Sequence, residues 1–87
     1  MGGEELFVRE RIVLSPVTGR FVADAEDLVD PARPGSLVLA GTPLGGVVGS
    51  GRTTSVTTPF TGVLAGLLAH DGERVREGQP IAWLRVA

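Results

Sequence analysis

The sequence predicts an all-β domain made of two matching halves. Two observations carry this. The first is internal repetition. Ser15-Pro16-Val17-Thr18-Gly19 is followed by a Gly35-x-x-Val38-x-x-Gly41-x-Pro43-Leu44-x-x-Val47 stretch. Thr58-Pro59-Phe60-Thr61-Gly62 is followed by Gly72-x-x-Val75-x-x-Gly78-x-Pro80-Ile81-x-x-Leu84. A repeat of this length fixes the architecture before any local propensity is considered. The second is punctuation: 13 glycines and six prolines break the 87 residues every few positions. No window of helical length keeps an i, i+3, i+4 apolar pattern free of both residues. Short β-branched or alternating runs between turn signals read instead as the strands of a sandwich or barrel.

Taken in order, the expected strands begin with Ile12–Leu14, a β-branched run stopped by Ser15-Pro16, and 19–23, which opens at Gly19. Next come 38–39, bounded by Gly35 and Gly41, and 44–48, which ends in glycine. The second half supplies 55–58, 62–68, 74–75 and 80–86. Phe21, Phe60, Leu64, Ile81, Trp83 and Leu84 are the expected core. Two stretches depart from the repeat. Residues 1–10 form a polar lead, in which Leu6-Phe7-Val8 could add an edge strand, and 11–87 form the domain. The first half also carries six extra residues, an acidic, proline-bounded insertion over 23–34. Pro31 and Pro34 discourage helix there, so it is expected to protrude, with at most one helical turn at 25–29.

Composition limits the chemistry. The chain has no cysteine, which removes disulfides, thiolate metal ligands and cysteine nucleophiles. All eight basic residues are arginine, the net charge is −2 and the arginines are dispersed. That balance argues against a nucleic-acid partner. No apolar run is long enough to cross a bilayer, the first residues lack the basic start of a secretory leader, and Leu6 stands where a myristoylation signal needs Ser or Thr. A cytoplasmic protein without membrane contact is expected, with homo-oligomerisation left open.

Four groups of residues are candidates for function. Val48-Gly49-Ser50-Gly51-Arg52-Thr53 joins the two halves. It reads first as a hairpin turn, with Arg52 able to grip a carboxylate or phosphate. It matches neither the P-loop nor the dinucleotide fingerprint. Asp24, Glu26, Asp27 and Asp30 place four carboxylates in seven residues but lack the spacing of a calcium loop. They read as a solvated protrusion or as a docking surface for a basic partner. His70-Asp71 precedes a glycine turn, and neighbours on an extended chain face opposite ways. The hydroxyls from Thr53 to Thr58 read as the polar face of a strand, since no adjacent base could activate one. No catalytic residue, metal site or cofactor is expected.

These landmarks resemble the biotinyl/lipoyl carrier domains, and most closely the biotin carboxyl carrier domain of acetyl-CoA carboxylase. The resemblance runs from Arg11 to Val86. In that family a Ser-Pro-x-x-Gly turn opens the first half, a Gly-x-x-Val-x-x-Gly-x-x-Leu stretch leads to a hairpin bearing Met-Lys-Met, and the same elements recur. Here they are Ser15–Gly19, Gly35–Leu44, Pro59–Gly62 and Gly72–Ile81. The resemblance implies a flattened barrel-sandwich of two four-stranded antiparallel sheets with a pseudo-twofold axis. It also places the insertion where some bacterial carriers have a protruding thumb. One departure matters. Gly51 falls at the position of the modified lysine, Ser50 and Arg52 replace the flanking methionines, and the chain has no lysine. Biotin and lipoate attach through an amide to a lysine amine, and a guanidinium stays protonated and cannot substitute. The expected function is therefore that of a non-modified carrier-like domain. It would act by protein–protein contact with a carboxylase or acyl-transfer subunit, through Gly49, Ser50, Gly51, Arg52 and the acidic insertion. The competing expectation is a small enzyme or ligand-binding protein whose surface or dimer-seam pocket gathers Arg20, Arg52, Thr54 and His70. A third, a membrane-fusion adaptor, is disfavoured by the short turn between the halves.

Overall fold

The structure is a computed structural model and describes residues 9–23 and 33–86. Among these residues eight strands run in sequence: β1 (Arg9–Leu14), β2 (Gly19–Val22), β3 (Leu37–Val38), β4 (Pro43–Gly49), β5 (Arg52–Thr57), β6 (Gly62–Leu67), β7 (Arg74–Val75) and β8 (Pro80–Val86). They form two four-stranded sheets with antiparallel pairing throughout. One has the order β1-β8-β6-β3 and the other β5-β4-β2-β7. Exchanging the first four strands with the last four turns one order into the other, which is the pseudo-twofold repeat in three dimensions. The molecule is the expected flattened barrel-sandwich, and its sheets do not close into a barrel. The acidic insertion (Asp24, Glu26, Asp27, Asp30) and the Leu6-Phe7-Val8 run lie outside the described residues. Among the described residues no helix is long and apolar enough to cross a membrane.

Each sheet draws strands from both halves. The central pair comes from one half and both edges from the other. Inside, the buried side chains match in pairs: Val13 with Val56, Phe21 with Leu64, Val38 with Val75, Leu44 with Ile81, and Val47 with Leu84. Burying such side chains supplies the main stabilising term, about 1.5–3 kcal/mol each. Pairwise matching keeps the two inner faces complementary. The backbone repeats as well. Ser15 N–H donates to Gln79 O (2.8 Å), and Gly78 N–H donates to Ser15 O (2.8 Å). The mates of these bonds are Thr58 N–H to Thr42 O (3.0 Å) and Gly41 N–H to Thr58 O (2.6 Å).

Three expectations change. β1 begins at Arg9 and β5 at Arg52, each three residues before the expected start, because pairing with β8 and β4 holds polar residues that carry no hydrophobic signal. Trp83 is not a core residue. Its neighbours Ile81, Ala82 and Leu84 are buried, while Trp83 lies partly buried on the outer face beside exposed Ile12. Bulges place an extra residue, Ala65, between Leu64 and Gly66 on β6 and another, Ile81, on β8 between Pro80 opposite Leu14 and Ala82 opposite Val13, which shifts the alternation there. Thr58 is fully buried, not part of the polar face. Its Oγ1 donates to Phe60 O (2.8 Å) and accepts from Phe60 N–H (3.0 Å). Its mate Ser15 is also buried, with Oγ donating to Val17 O (2.6 Å).

Gly19 and Gly62 occupy equivalent places where strands approach closely. A Cβ on Gly62 would sit 2.5 Å from the backbone oxygen of Arg85, and one on Gly19 would strike the backbone oxygen of Val48. Backbone atoms inside a sheet cannot swing aside as a flexible side chain can. Gly19→Ala and Gly62→Ala are each expected to cost about 2–3 kcal/mol, at the upper end of overpacking penalties. Urea unfolding of the two variants would check this, and losses under about 1 kcal/mol would show that the approach is not the constraint.

Candidate functional site

The turn that joins the halves is built by the ladder below it. Val48 pairs with Thr53 and Gly49 with Arg52, leaving Ser50 and Gly51 as a two-residue loop. Both have positive φ, 51° at Ser50 and 74° at Gly51. This is the sense of a type I′ turn, whose twist matches the flanking strands. Ser50 is the one non-glycine residue with positive φ among those described. Gly49 serves a different purpose: a Cβ there would lie 2.8 Å from Thr18 O, so the base of the hairpin rests on the first repeat's opening turn. Arg52 is exposed, and its side chain makes no hydrogen bond among the described residues. Its mate in the other half is Arg9, which pairs with Val86 as Arg52 pairs with Gly49. An arginine at this register position is thus a feature of the repeat and not of the tip alone. Around Gly51 a Cβ would meet nothing within 4 Å, so the tip can carry a side chain.

The other candidates separate in space. His70 is exposed, its N–H donates to Glu73 Oε1 (2.8 Å), and its carbonyl accepts from Glu73 N–H (2.9 Å). Asp71 turns away from it, with Oδ1 accepting from Ala23 N–H (2.9 Å), where the chain enters the acidic insertion. Thr54 pairs with Val47 on the inner side of its sheet, whereas Arg20 pairs with Val48 on the outer side. Arg20, Arg52, Thr54 and His70 therefore do not converge. Thr53, Ser55 and Thr57 form the exposed hydroxyl face that the alternation predicts. No group of three His, Cys, Asp or Glu side chains that could hold a metal occurs among the described residues.

Two surface features escaped the sequence reading. A shallow hollow of about 460 Å³ lies on the outer face of the β1-β8-β6-β3 sheet, lined by Glu10, Ile12, Leu68 and Trp83. Arg85 stacks on the Trp83 ring at 5.6 Å. The i, i+2 spacing of these two residues was the available signal, since it puts both on one side of a strand. The second feature is Arg20 on β2 directly opposite Arg74 on β7. Only the long-range register reveals that pair.

No family model matches the chain, and no curated protein matches it in sequence. Solved structures do. A single-chain, multi-domain long-chain acyl-CoA carboxylase matches 95% of the chain with a TM-score of 0.74 at 19% identity. The urea carboxylase of Kluyveromyces lactis matches 97% with a TM-score of 0.72 at 24% identity. The chain spans 8% and 7% of the length of those two proteins.

The strain at the tip gives a direct expectation. Asn tolerates the left-handed region better than Ser and suits the first position of a type I′ turn, so Ser50→Asn should gain about 0.5 kcal/mol. Gly51→Ala should lose about 1 kcal/mol, because L-residues are disfavoured there. Thermal unfolding of the two variants would measure both, and equal midpoints would contradict the turn assignment. The fold of the chain is that of a segment found within a multi-domain acyl-CoA carboxylase and within a urea carboxylase.

Proposed function

We propose that the chain is a lysine-free, non-modified domain of the biotin carboxyl carrier type. It acts through protein–protein contacts beside an acyl-CoA carboxylase or a related acyl-transfer system. The observation that carries this reading is the turn at Ser50-Gly51, set on a carrier-like sandwich in a chain without lysine. The structural likeness to a segment of two carboxylases supports the setting. A carrier domain works by being recognised by a ligase and by catalytic partners. A copy that cannot be modified keeps the faces by which it is recognised and gives up the swinging arm. The contacts are assigned to Gly49, Ser50, Gly51 and Arg52 at the tip. A second set is assigned to Asp24, Glu26, Asp27 and Asp30, in an insertion that corresponds to the thumb of some carriers.

A ligand-binding reading would rest on the hollow at Glu10, Ile12, Leu68 and Trp83. That hollow offers one carboxylate and no converging set of polar groups, which small-molecule sites use to fix orientation.

The test is modification. Incubated with a biotin ligase, ATP and biotin, the native chain is expected to keep its mass. The triple variant Ser50→Met, Gly51→Lys, Arg52→Met is expected to gain one biotinyl group, because the tip is open around Gly51. Uptake of biotin by the native chain would overturn the non-modified reading. A folded triple variant that stays unmodified would overturn the carrier-type surface.

A further inference from the structure

The two sheets match inside and differ outside. One row of residues crosses the outer face of each sheet. In the first sheet it reads Leu37, Val63, Arg85, Glu10. The equivalent row in the second reads Arg74, Arg20, Val48, Thr53. The first row contains its own charge balance, since Glu10 stands directly opposite Arg85. The second sets two arginines against each other across β2 and β7. Like charges directly opposite on a sheet oppose folding. Arg76, two positions beyond Arg74 and also exposed, adds a third cation beside them.

Two of the carboxylates nearest in sequence already accept hydrogen bonds, while Glu77, beside Arg76, is exposed and its carboxylate makes no hydrogen bond among the described residues. Glu73 accepts from His70 N–H through Oε1 and from the Gln79 amide through Oε2 (3.2 Å). Asp71 accepts from Ala23 N–H. The guanidinium groups of Arg20, Arg74 and Arg76 make no hydrogen bond among the described residues. An arrangement that weakens the fold and leaves strong donors without a partner among the described residues is what a surface built for another molecule shows.

We propose that the row Arg74, Arg20, Val48, Thr53 on the outer face of β7, β2, β4 and β5 docks an acidic, extended peptide segment of a partner protein. The row crosses four strands, about 14 Å at strand spacing, which an extended chain of about four residues spans. Guanidinium forks bind carboxylates in pairs. Val48 remains 41% exposed between the arginines and Thr53, so an apolar residue of the peptide meets an apolar one here. An isolated anion would use the arginines alone. A nucleic acid would require a longer basic track than a chain of net charge −2 provides. The inference concerns a different face from the hairpin tip and does not draw on the carrier reading.

The experiment is an NMR titration of the whole chain with an oligoglutamate peptide containing one leucine. Inorganic phosphate and a short DNA duplex are titrated in parallel. Amide shifts are expected at Arg20, Val48, Thr53 and Arg74, with affinity falling as salt rises. Arg74→Glu should weaken peptide binding by about tenfold or more. Arg85→Glu on the opposite sheet should leave it unchanged. Because Arg74→Glu removes the like-charge contact, its melting temperature should rise, by roughly 1–5 °C, so lost binding cannot be put down to unfolding. Peptide binding no tighter than phosphate, tighter binding of the duplex, shifts confined to another face, or equal losses in both variants would each overturn the proposal.

Discussion

Each half of this chain closes its turns on the other half. Ser15 takes a carbonyl and an amide from Gln79 and Gly78, and Thr58 takes them from Thr42 and Gly41. A second set does the same one layer on. Phe21 bonds to Glu73 and Gly72, and Leu64 bonds to Ser36 and Gly35. The residues joined are far apart in sequence, so none of these bonds forms within a half folding alone. They explain how β3 and β7, two residues each, persist as strands. Each is held on one side by its sheet neighbour and at its ends by turns clasped to the opposite half. The buried hydroxyls of Ser15 and Thr58 complete the same turns from inside. No buried side-chain polar atom lacks a partner among the described residues. Interlocking of this kind makes the domain cooperative, since a repeat unit cannot bury its own apolar face.

Such a clasp constrains the inside equally in both halves and leaves the outside free. The buried pairs stay close in size and chemistry, because a change in one half must fit a core shared with the other. Outside, equivalent positions have diverged. Trp83 corresponds to Gly46, Leu37 to Arg74, and Val63 to Arg20. One face carries the apolar cluster Ile12, Leu68 and Trp83 beside the Glu10 and Arg85 pair, and the face with Thr53, Ser55 and Thr57 is hydroxylic with arginines beside it. Where a repeat protein breaks its own symmetry, packing does not explain the difference. Those positions are the ones to read for contact with other molecules.

The sequence discloses what the repeat encodes. The eight strands, the two halves and four of the ten paired core positions, Phe21, Leu64, Ile81 and Leu84, were legible because glycines, prolines and apolar residues recur in order. What was not legible depends on register. The starts of β1 and β5 are exposed polar residues whose strand state comes from a partner sixty or more residues away in one case and across a hairpin in the other. Trp83 sits in a run, Ile81-Ala82-Trp83-Leu84, too uniformly apolar for alternation to assign a face, and a bulge within it at Ile81 together with one on neighbouring β6 settles it. Thr58 looked like one more hydroxyl of a polar strand, but it is the mate of Ser15 and takes that residue's buried role. The opposition of Arg20 and Arg74 has no local signature at all. At the candidate tip, spacing located the turn, and only the backbone angles disclosed that Ser50 carries its strain.

The same geometry bears on what the tip of the hairpin can tolerate. The tip is fixed from below, by the Gly49 contact with Thr18 and by the ladder through Val48 and Thr53, and not by whatever side chain stands at its summit. The space around Gly51 is open, so a residue there neither supports the fold nor is required by it. Glycine even relieves the left-handed backbone that an L-residue would occupy at a cost. A change of side chain at this point therefore leaves the packing undisturbed. The clasp, the core and both outer faces do not depend on it. A turn held from below by other elements is free to vary at its summit while the rest of the fold stays fixed.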